Sequence, residues 1–361
     1  MGQNRSIIAF SCGDVNGIGL EVFIKTFSND LLFKHVIPVL YCHESVLKET
    51  SDSLSIQLPN YQVLRKSEMP KEGLINVIEL EDANVPELNL GTPSLPSGAY
   101  ALASLKWAVD GIVNGVVQNL VTLPIDKKTI QSEEFEFPGH TEYLADAFQA
   151  DSHMMLLISE SMRVGVVTGH IPIQNVAKSI NAELLTSKIE MFLHALRQDF
   201  GVVKPKLAVL GLNPHSGDDG LLGSEEKDVI APVINSFREK GDIVVGPYSA
   251  DGFFGNRMYE DFDGVLAMYH DQGLIPFKQL SFSKGTNFTA GLPIIRTSPD
   301  HGTAYDIAGK GEADPGSLIE AIFTLQRLYR TRLEHFDLKK DPLDFIKHRR
   351  EKFSIGVPNI K

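Results

Sequence analysis

Short apolar runs recur along the chain, each breaking into glycine and polar residues, with stretches of helical spacing between them. Ser6 to Ser11, Val36 to Tyr41, Ile75 to Leu80, Val116 to Pro124, Met154 to Ser159, Arg163 to Thr168, Lys206 to Asn213, Asp242 to Pro247 and Gly264 to Met268 read as strands. Helical patterns begin at Leu20, run from Gly98 to Val109 behind a Ser97 cap, start again at Glu142, and cover Ala182 to Phe200. Ser224 caps a further helix, and another runs from about Pro315 to Leu333. Between Tyr41 and Ile75 the chain is a polar helical or loop stretch, and Glu81 to Pro96 reads as a long loop. The alternation predicts an α/β fold with a mostly parallel sheet and helices on both faces. The charged, proline-containing remainder to Lys361 reads as a helix or tail without visible chemistry.

Open α/β sheets place ligands beyond the carboxyl ends of their strands. Three histidines stand at such positions: His170 after Arg163 to Thr168, His215 after Lys206 to Asn213, and His270 in Met268-Tyr-His-Asp-Gln-Gly273. Three neutral imidazoles with an open coordination position suit a catalytic divalent metal, although any one alone is as readily a hydrogen-bonded core histidine. The glycine-rich Cys12-Gly-Asp-Val-Asn-Gly-Ile-Gly19 is either a tight βα turn or a ligand loop, and its spacing does not match the dinucleotide fingerprint. Gly139-His-Thr-Glu142 opens a helix and reads either as an anion-binding helix start or as a simple threonine cap. Lys278 and Arg296 offer permanent charge to a phosphate or carboxylate, or form surface ion pairs. Asp251, before Gly252, assists proton transfer, orients a cation or only shapes a turn.

Composition narrows the class. With 361 residues the chain is long enough for two domains and a cleft, and 43% hydrophobic with 22% charged residues is ordinary for a soluble protein. No apolar run approaches the roughly 20 residues of a membrane span, and no signal peptide is visible, so a cytoplasmic protein is expected. Cys12 and Cys42 form no Cys-x-x-Cys pair, which leaves histidine and carboxylate for any metal. The net charge of −12 argues against nucleic-acid binding but is compatible with a locally basic site for a small anion. The sequons at Asn4 and Asn287 read as chance matches.

Gly13-Asp-Val-Asn-Gly-Ile-Gly19, Pro138-Gly-His-Thr-Glu142, Gly211-Leu-Asn-Pro-His-Ser-Gly217, Met268-Tyr-His-Asp-Gln-Gly273 and Arg296-Thr-Ser-Pro-Asp-His-Gly-Thr-Ala304 together resemble the motif set of the 4-hydroxythreonine-4-phosphate dehydrogenase family of pyridoxal phosphate biosynthesis. The resemblance runs from about Ser6 to Leu333. Separately, His301-Gly-Thr-Ala-Tyr-Asp-Ile-Ala-Gly-Lys-Gly311 resembles the nucleotide-binding stretch of isocitrate and isopropylmalate dehydrogenases, which bind NAD(P) with another loop set. The fold implied is two α/β/α domains flanking a cleft, with residues 1–125 and 286–361 on the nucleotide side and residues 126–285 carrying metal, substrate and dimerisation surfaces.

The resemblance also implies a divalent metal held by His170, His215 and His270, with the third imidazole contributed across a homodimer interface. Ligand softness favours zinc, cobalt or nickel, and magnesium or manganese can load in buffer. It further implies substrate contacts from His140, Thr141, Lys278, Asn287 and Arg296, catalytic roles for Asp251 and Lys278, and NAD or NADP contacts from His301, Gly302, Asp306 and Gly309. Asp271 and Gln272 orient His270 or shape its turn. The implied reaction oxidises 4-phosphooxy-L-threonine to 2-amino-3-oxo-4-phosphooxybutanoate, which decarboxylates to 3-amino-2-oxopropyl phosphate. Rival readings are a dehydrogenase of threonate or erythronate 4-phosphate and a non-catalytic metabolite-binding protein on the same scaffold. Cys12-Gly-Asp-Val-Asn-Gly departs from the Pro-Gly-Asp-Pro-Ala-Gly form usual in the family, and Thr122 to Lys127 is a variant of a Thr-x-Pro-x-x-Lys segment.

Overall fold

The apolar runs form strands because their branched and aliphatic side chains fill both faces of a sheet. In the computed structural model, which describes residues 5–65, 68–281 and 284–340, these are β1 (Ser6–Ser11), β2 (Val36–Tyr41), β3 (Tyr61–Val63), β4 (Ile75–Ile78), β5 (Asn119–Thr122), β6 (Met154–Ile158), β7 (Arg163–Thr168), β8 (Lys206–Leu210), β9 (Ile243–Tyr248), β10 (Gly264–Tyr269), β11 (Thr286–Ala290) and β12 (Arg296–Pro299). The expected tail beyond residue 340, and Asn4 of the first sequon, lie outside the described residues. All strands join one sheet in the order β3-β4-β2-β1-β5-β12-β11-β6-β7-β10-β8-β9.

The sheet is parallel except where β11 pairs with β12 and β6, and where β6 pairs with β7. A short turn closed by Ser159 N–H donating to Met162 O joins β6 to β7, too short for the crossover a parallel pair needs. These reversals turn the two halves of the sheet in opposite directions: Thr286 faces both Pro299 and Ile158, so the start of β11 lies beside the ends of β12 and β6, whereas the ends of β7 and β10 lie at the opposite edge, on the side of the start of β6. The site lies across the middle of the sheet, where these strands meet.

Three sequence expectations need correction. β3 is a strand inside the stretch read as polar helix or loop, too short and too exposed to give a periodic signal. The helix expected behind Ser97 spans Leu95–Val113; Ser94 is its cap and accepts from Ser97 N–H, with proline in the first turn. The Ser97 hydroxyl instead donates to Asp14 Oδ2 at 3.1 Å. Ser224 also makes no cap: a π turn, Glu226–Ile230, precedes the helix Ala231–Glu239, and no side chain caps it.

The helix Gly316–Lys340 closes the sheet near its middle. Its Arg332 donates through Nε to Asp199 Oδ1 at 2.6 Å and through Nη1 to Leu292 O at 2.9 Å, in the connection between β11 and β12. Both side chains are almost fully buried, so each charge depends on the other. Replacing Arg332 with methionine strands the Asp199 carboxylate, and chemical denaturation is expected to show a loss of about 3–5 kcal/mol.

Candidate functional site

A cavity of about 360 Å³ opens at the middle of the sheet, lined by residues of β5, β6, β7, β11 and β12. Four permanent cations line it, Lys127, Lys188, Lys278 and Arg296, against two carboxylates, Glu142 and Asp300. The local balance is therefore positive inside an acidic protein, as expected for an anionic ligand.

Arg296, the first residue of β12, is 2% exposed. Its Nε and Nη2 donate to Thr122 Oγ1 of β5 at 3.2 and 2.5 Å, and its Nη1 donates to Thr289 Oγ1 of β11 at 3.0 Å. Among the described residues no carboxylate forms an ion pair with it, and burial pushes its pKa down to about 10 while the more distant Glu142 charge opposes the shift. A buried guanidinium held only by hydroxyls remains short of negative charge, which a phosphate or carboxylate supplies.

His140 opens the helix His140–Ala147, and Gly139 precedes it without any side-chain cap bond. Thr141 lies inside the helix with Oγ1 3.4 Å from Thr289 Oγ1, so the threonine-cap reading does not hold. Burial, then the Arg296 and Lys127 charges, push the His140 imidazole well below its ordinary pKa and keep it neutral. Its Nε2 is buried without a protein partner, as is Asn287 Oδ1 on β11. Lys278 stands 3.4 Å from Asp300 Oδ1; burial raises the Asp300 pKa and the lysine charge opposes that rise. His140, Thr141, Lys278, Asn287 and Arg296 thus all line the one cavity.

The three strand-end histidines divide. The rings of His170 and His270 lie 5.4 Å apart, centroid to centroid, because β7 and β10 are neighbours in parallel register. Burial, the Lys127 ammonium 3.4 Å from His170 Nε2, and His270 together push the His170 pKa down. His270 is the first residue of the helix His270–Leu280, and its Nδ1 pairs with Asp271 Oδ1 at 2.7 Å, leaving Nε2 as its free nitrogen. Gln272 accepts from Met268 N–H at 2.7 Å and donates to Gly211 O at 2.7 Å, so it ties β10 to the end of β8. His215 lies apart, in the turn Pro214–Gly220, lining a separate hollow with Asp218 and Glu226. Among the described residues of one chain, no group of three or more His, Cys, Asp or Glu side chains is gathered for a metal. Asp251 is also off the cavity, exposed on the helix Ala250–Gly255; the Ser249 hydroxyl, bonded at 2.5 Å, and the Gly252 N–H hold its pKa down, with His215 nearby adding to the effect.

Of the nucleotide-stretch residues, His301 and Gly302 line the cavity, and His301 Nε2 is buried without a partner. Asp306 is exposed and Gly309 packs on Leu90; neither lines the cavity. The first glycine-rich loop is a brace. Asp14 is fully buried and accepts from Asn16 N–H, the Ser97 hydroxyl and the Tyr305 hydroxyl, at 2.9, 3.1 and 2.8 Å. At Gly13, with φ +63°, a Cβ would sit 2.3 Å from Pro124 O. The loop is a tight turn, and its residues do not line the cavity.

Thr122, Lys127, Glu142, Lys188, Thr289 and Asp300 are site residues that sequence reasoning did not select. Thr122 and Lys127 follow an apolar run and were visible as such. Lys188 sits within the long helix Ala182–Gln198, where one lysine among polar positions carries no signal; burial lowers its pKa, and its Nζ donates to His153 O at 3.0 Å.

Known proteins resemble this chain over most of its length. The family model described as "Pyridoxal phosphate biosynthetic protein PdxA" matches residues 34–325. A 4-hydroxythreonine-4-phosphate dehydrogenase of Bacteroides thetaiotaomicron is 42% identical over 344 residues, covering 95% of this chain and 94% of that protein. One of Aquifex aeolicus is 39% identical, covering 89% and 98%. Among solved structures, the 4-hydroxythreonine-4-phosphate dehydrogenase of Klebsiella pneumoniae superposes with a TM-score of 0.78 at 32% identity, covering 91% of this chain and 99% of that one. A terephthalate 1,2-cis-dihydrodiol dehydrogenase of Burkholderia xenovorans superposes with a TM-score of 0.58 at 25% identity, covering 90% and 98%. The expected α/β fold of the isocitrate/isopropylmalate dehydrogenase-like type is thus the fold of this protein. Matched over most of its length by both the family model and these relatives, the chain belongs to the PdxA family.

Proposed function

We propose that the chain is an NAD(P)-dependent dehydrogenase that oxidises 4-phosphooxy-L-threonine to 2-amino-3-oxo-4-phosphooxybutanoate, which then decarboxylates to 3-amino-2-oxopropyl phosphate, a step in pyridoxal phosphate biosynthesis. The observation that carries this reading is Arg296, buried and without a carboxylate partner in a cation-lined cavity, where a doubly anionic substrate supplies the missing charge. The relatives' names supply the substrate class. No helix among the described residues is long and apolar enough to cross a membrane, which fits a cytoplasmic biosynthetic enzyme.

The donor set suits a divalent metal. His170 is kept neutral, and Asp271 engages His270 Nδ1 and leaves Nε2 free, the arrangement common among metal-ligating histidines. His170, His215 and His270 hold it, with the third imidazole coming across a homodimer interface. When bound, the metal supplies Lewis acidity toward the substrate hydroxyl and the nicotinamide supplies the hydride acceptor. The chain's own part is binding and orientation: Arg296 and Lys278 hold the anionic ends, and His140 and Asn287 meet the substrate with polar atoms that lack protein partners. Lys278 Nζ, beside Asp300, is placed to hold or release a proton at the cavity wall. Asp251 serves from the His215 side, and His301, Gly302, Asp306 and Gly309 form the nucleotide side, where the unpartnered His301 Nε2 is a ready contact.

The homodimer has support in exposed apolar side chains beside each histidine: Ile171 and Ile173, Leu221 and Leu222, and Ile275 and Leu280. The two-domain division, residues 1–125 with 286–361 and residues 126–285, has support in a strand order that keeps β1 to β5 with β12 and β6 to β10 together, on opposite sides of β11.

Steady-state NADH formation with added metal tests the reaction. It is expected with 4-phosphooxy-L-threonine, to vanish on chelation and in His215→Ala, and to have a lower kcat/KM with erythronate 4-phosphate. A larger kcat/KM for the sugar acid would replace this substrate assignment with the sugar-acid one, and no turnover of either would leave a binding protein. Arg296→Met is expected to lower kcat/KM about a hundredfold, yet to leave the unliganded melting temperature unchanged or higher, because among the described residues the lost cation had no carboxylate partner, only hydroxyls. Ile173→Asp with Ile275→Asp is expected to give an inactive monomer by light scattering. His140 adds a pH signature: its folded pKa lies well below the ordinary 6.5, so below that pH the unfolded chain binds the proton more readily and stability falls. Thermal unfolding scanned downward from about pH 7 should show this loss, flattened in His140→Asn.

A further inference from the structure

The turn that carries His215 has the wrong hand for its residues. His215, Ser216, Gly217, Asp218 and Asp219 all have positive φ, at 53, 55, 82, 45 and 52°. Four of the five carry a Cβ, which in this conformation crowds the following carbonyl oxygen, so the turn persists only if its surroundings enforce it.

The enforcing group is one buried carboxylate. Glu226, 5% exposed, accepts from Leu212 N–H and Asn213 N–H through Oε1, both at 2.7 Å, and from Asn213 Nδ2 through Oε2 at 2.9 Å. It also fills the space beneath Gly217, where a Cβ would come within 2.7 Å of Oε2. Glu226 reaches this place from the π turn Glu226–Ile230, an uncommon backbone form that shifts side chains off the usual helical positions. Among the described residues no cation pairs with it, and its partners are the N–H groups ahead of His215 and the Asn213 amide: the carboxylate and the turn entrance hold one another. Ser216 adds a second tie, donating to Pro247 O at 3.0 Å, and Gln272 reaches Gly211 O from the His270 helix.

We propose that Glu226 is the positioning residue of His215, fixing the left-handed turn so that the imidazole is presented in one geometry before any metal arrives. This rests on the reading of His215 as a metal ligand. Glu226 lies outside the cavity lining, and among the described residues its hydrogen bonds go to Leu212 and Asn213 and not to His170 or His270.

The test uses the full-length protein stripped of metal. Zinc affinity is measured by calorimetry and the integrity of the turn by limited proteolysis in chelator, for wild type, Glu226→Ala, Glu226→Gln, and Glu226→Ala combined with Asp218→Gly and Asp219→Gly. Glycine adopts the left-handed conformation without a Cβ penalty, so the combined variant relieves the strain without restoring the carboxylate. Glu226→Ala is expected to weaken zinc binding at least tenfold and to speed cleavage between residues 213 and 223. The two glycines should recover threefold or more, and Glu226→Gln, which keeps one acceptor oxygen, should lose less; it also serves if the alanine variant does not fold. Unchanged cleavage in a folded Glu226 variant, or a loss of affinity that the glycines do not recover, would overturn the proposal. His215→Ala is the control: zinc binding equal to wild type there overturns the ligand reading, while the proteolysis result still reports on the turn.

Discussion

Arg296 brings a positive charge into the sheet where three strands meet, and it is held by hydroxyls of Thr122 on β5 and Thr289 on β11. Such a charge is tolerable only if the surroundings are polar and an anion can reach it. The neighbouring architecture follows from that need. β12 must lie between β5 and β11, the cavity beside them must stay open, and among the described residues no carboxylate forms an ion pair with the guanidinium, Glu142 acting only from farther off. Burial first, then the same positive field, pushes the His140 pKa down, and burial with the Lys127 charge does so for His170, so the cavity keeps these imidazoles neutral while its lysines and arginine remain available to a ligand.

A second constraint acts farther along the sheet, beyond β6 and β7. The ends of β8 and β10 are cross-tied by Gln272, and Glu226 holds the chain just beyond β8. Buried polar groups with every contact accounted for rigidify what they touch. Here they stiffen the two segments that carry His215 and His270, whereas the cavity side of the molecule is stiffened by the Asp14 knot and the Arg332 clamp. Among the buried polar atoms left without partners, His140 Nε2, Asn287 Oδ1 and His301 Nε2 belong to residues that line the cavity.

Strands such as β1, β2 and β7 were legible to the residue because a doubly buried parallel strand needs an unbroken apolar run, which no other element needs at that length. β3 was not, since three half-exposed residues at a sheet edge bury too little to leave a pattern. Cap positions were misjudged at Ser97, Thr141 and Ser224 because a serine or threonine hydroxyl satisfies the local rule equally well one turn earlier or later, and packing decides between them. Lys188 and Glu142 were hidden for a related reason: on an amphipathic helix a charged residue aimed into a cavity looks like one aimed at water.

By itself the sequence determined the α/β class, the strand-end histidines and the chemistry available at His140, Lys278, Asn287 and Arg296, since these depend on local composition and on motifs that lie within single segments. Only the tertiary structure decided which of those groups meet. Strand order put His170 against His270 and left His215 in its own left-handed turn, and it placed Thr122 and Thr289 on either side of Arg296. Proximity between segments far apart in the chain is set by the pairing of whole strands, and no property of the individual segments contains it.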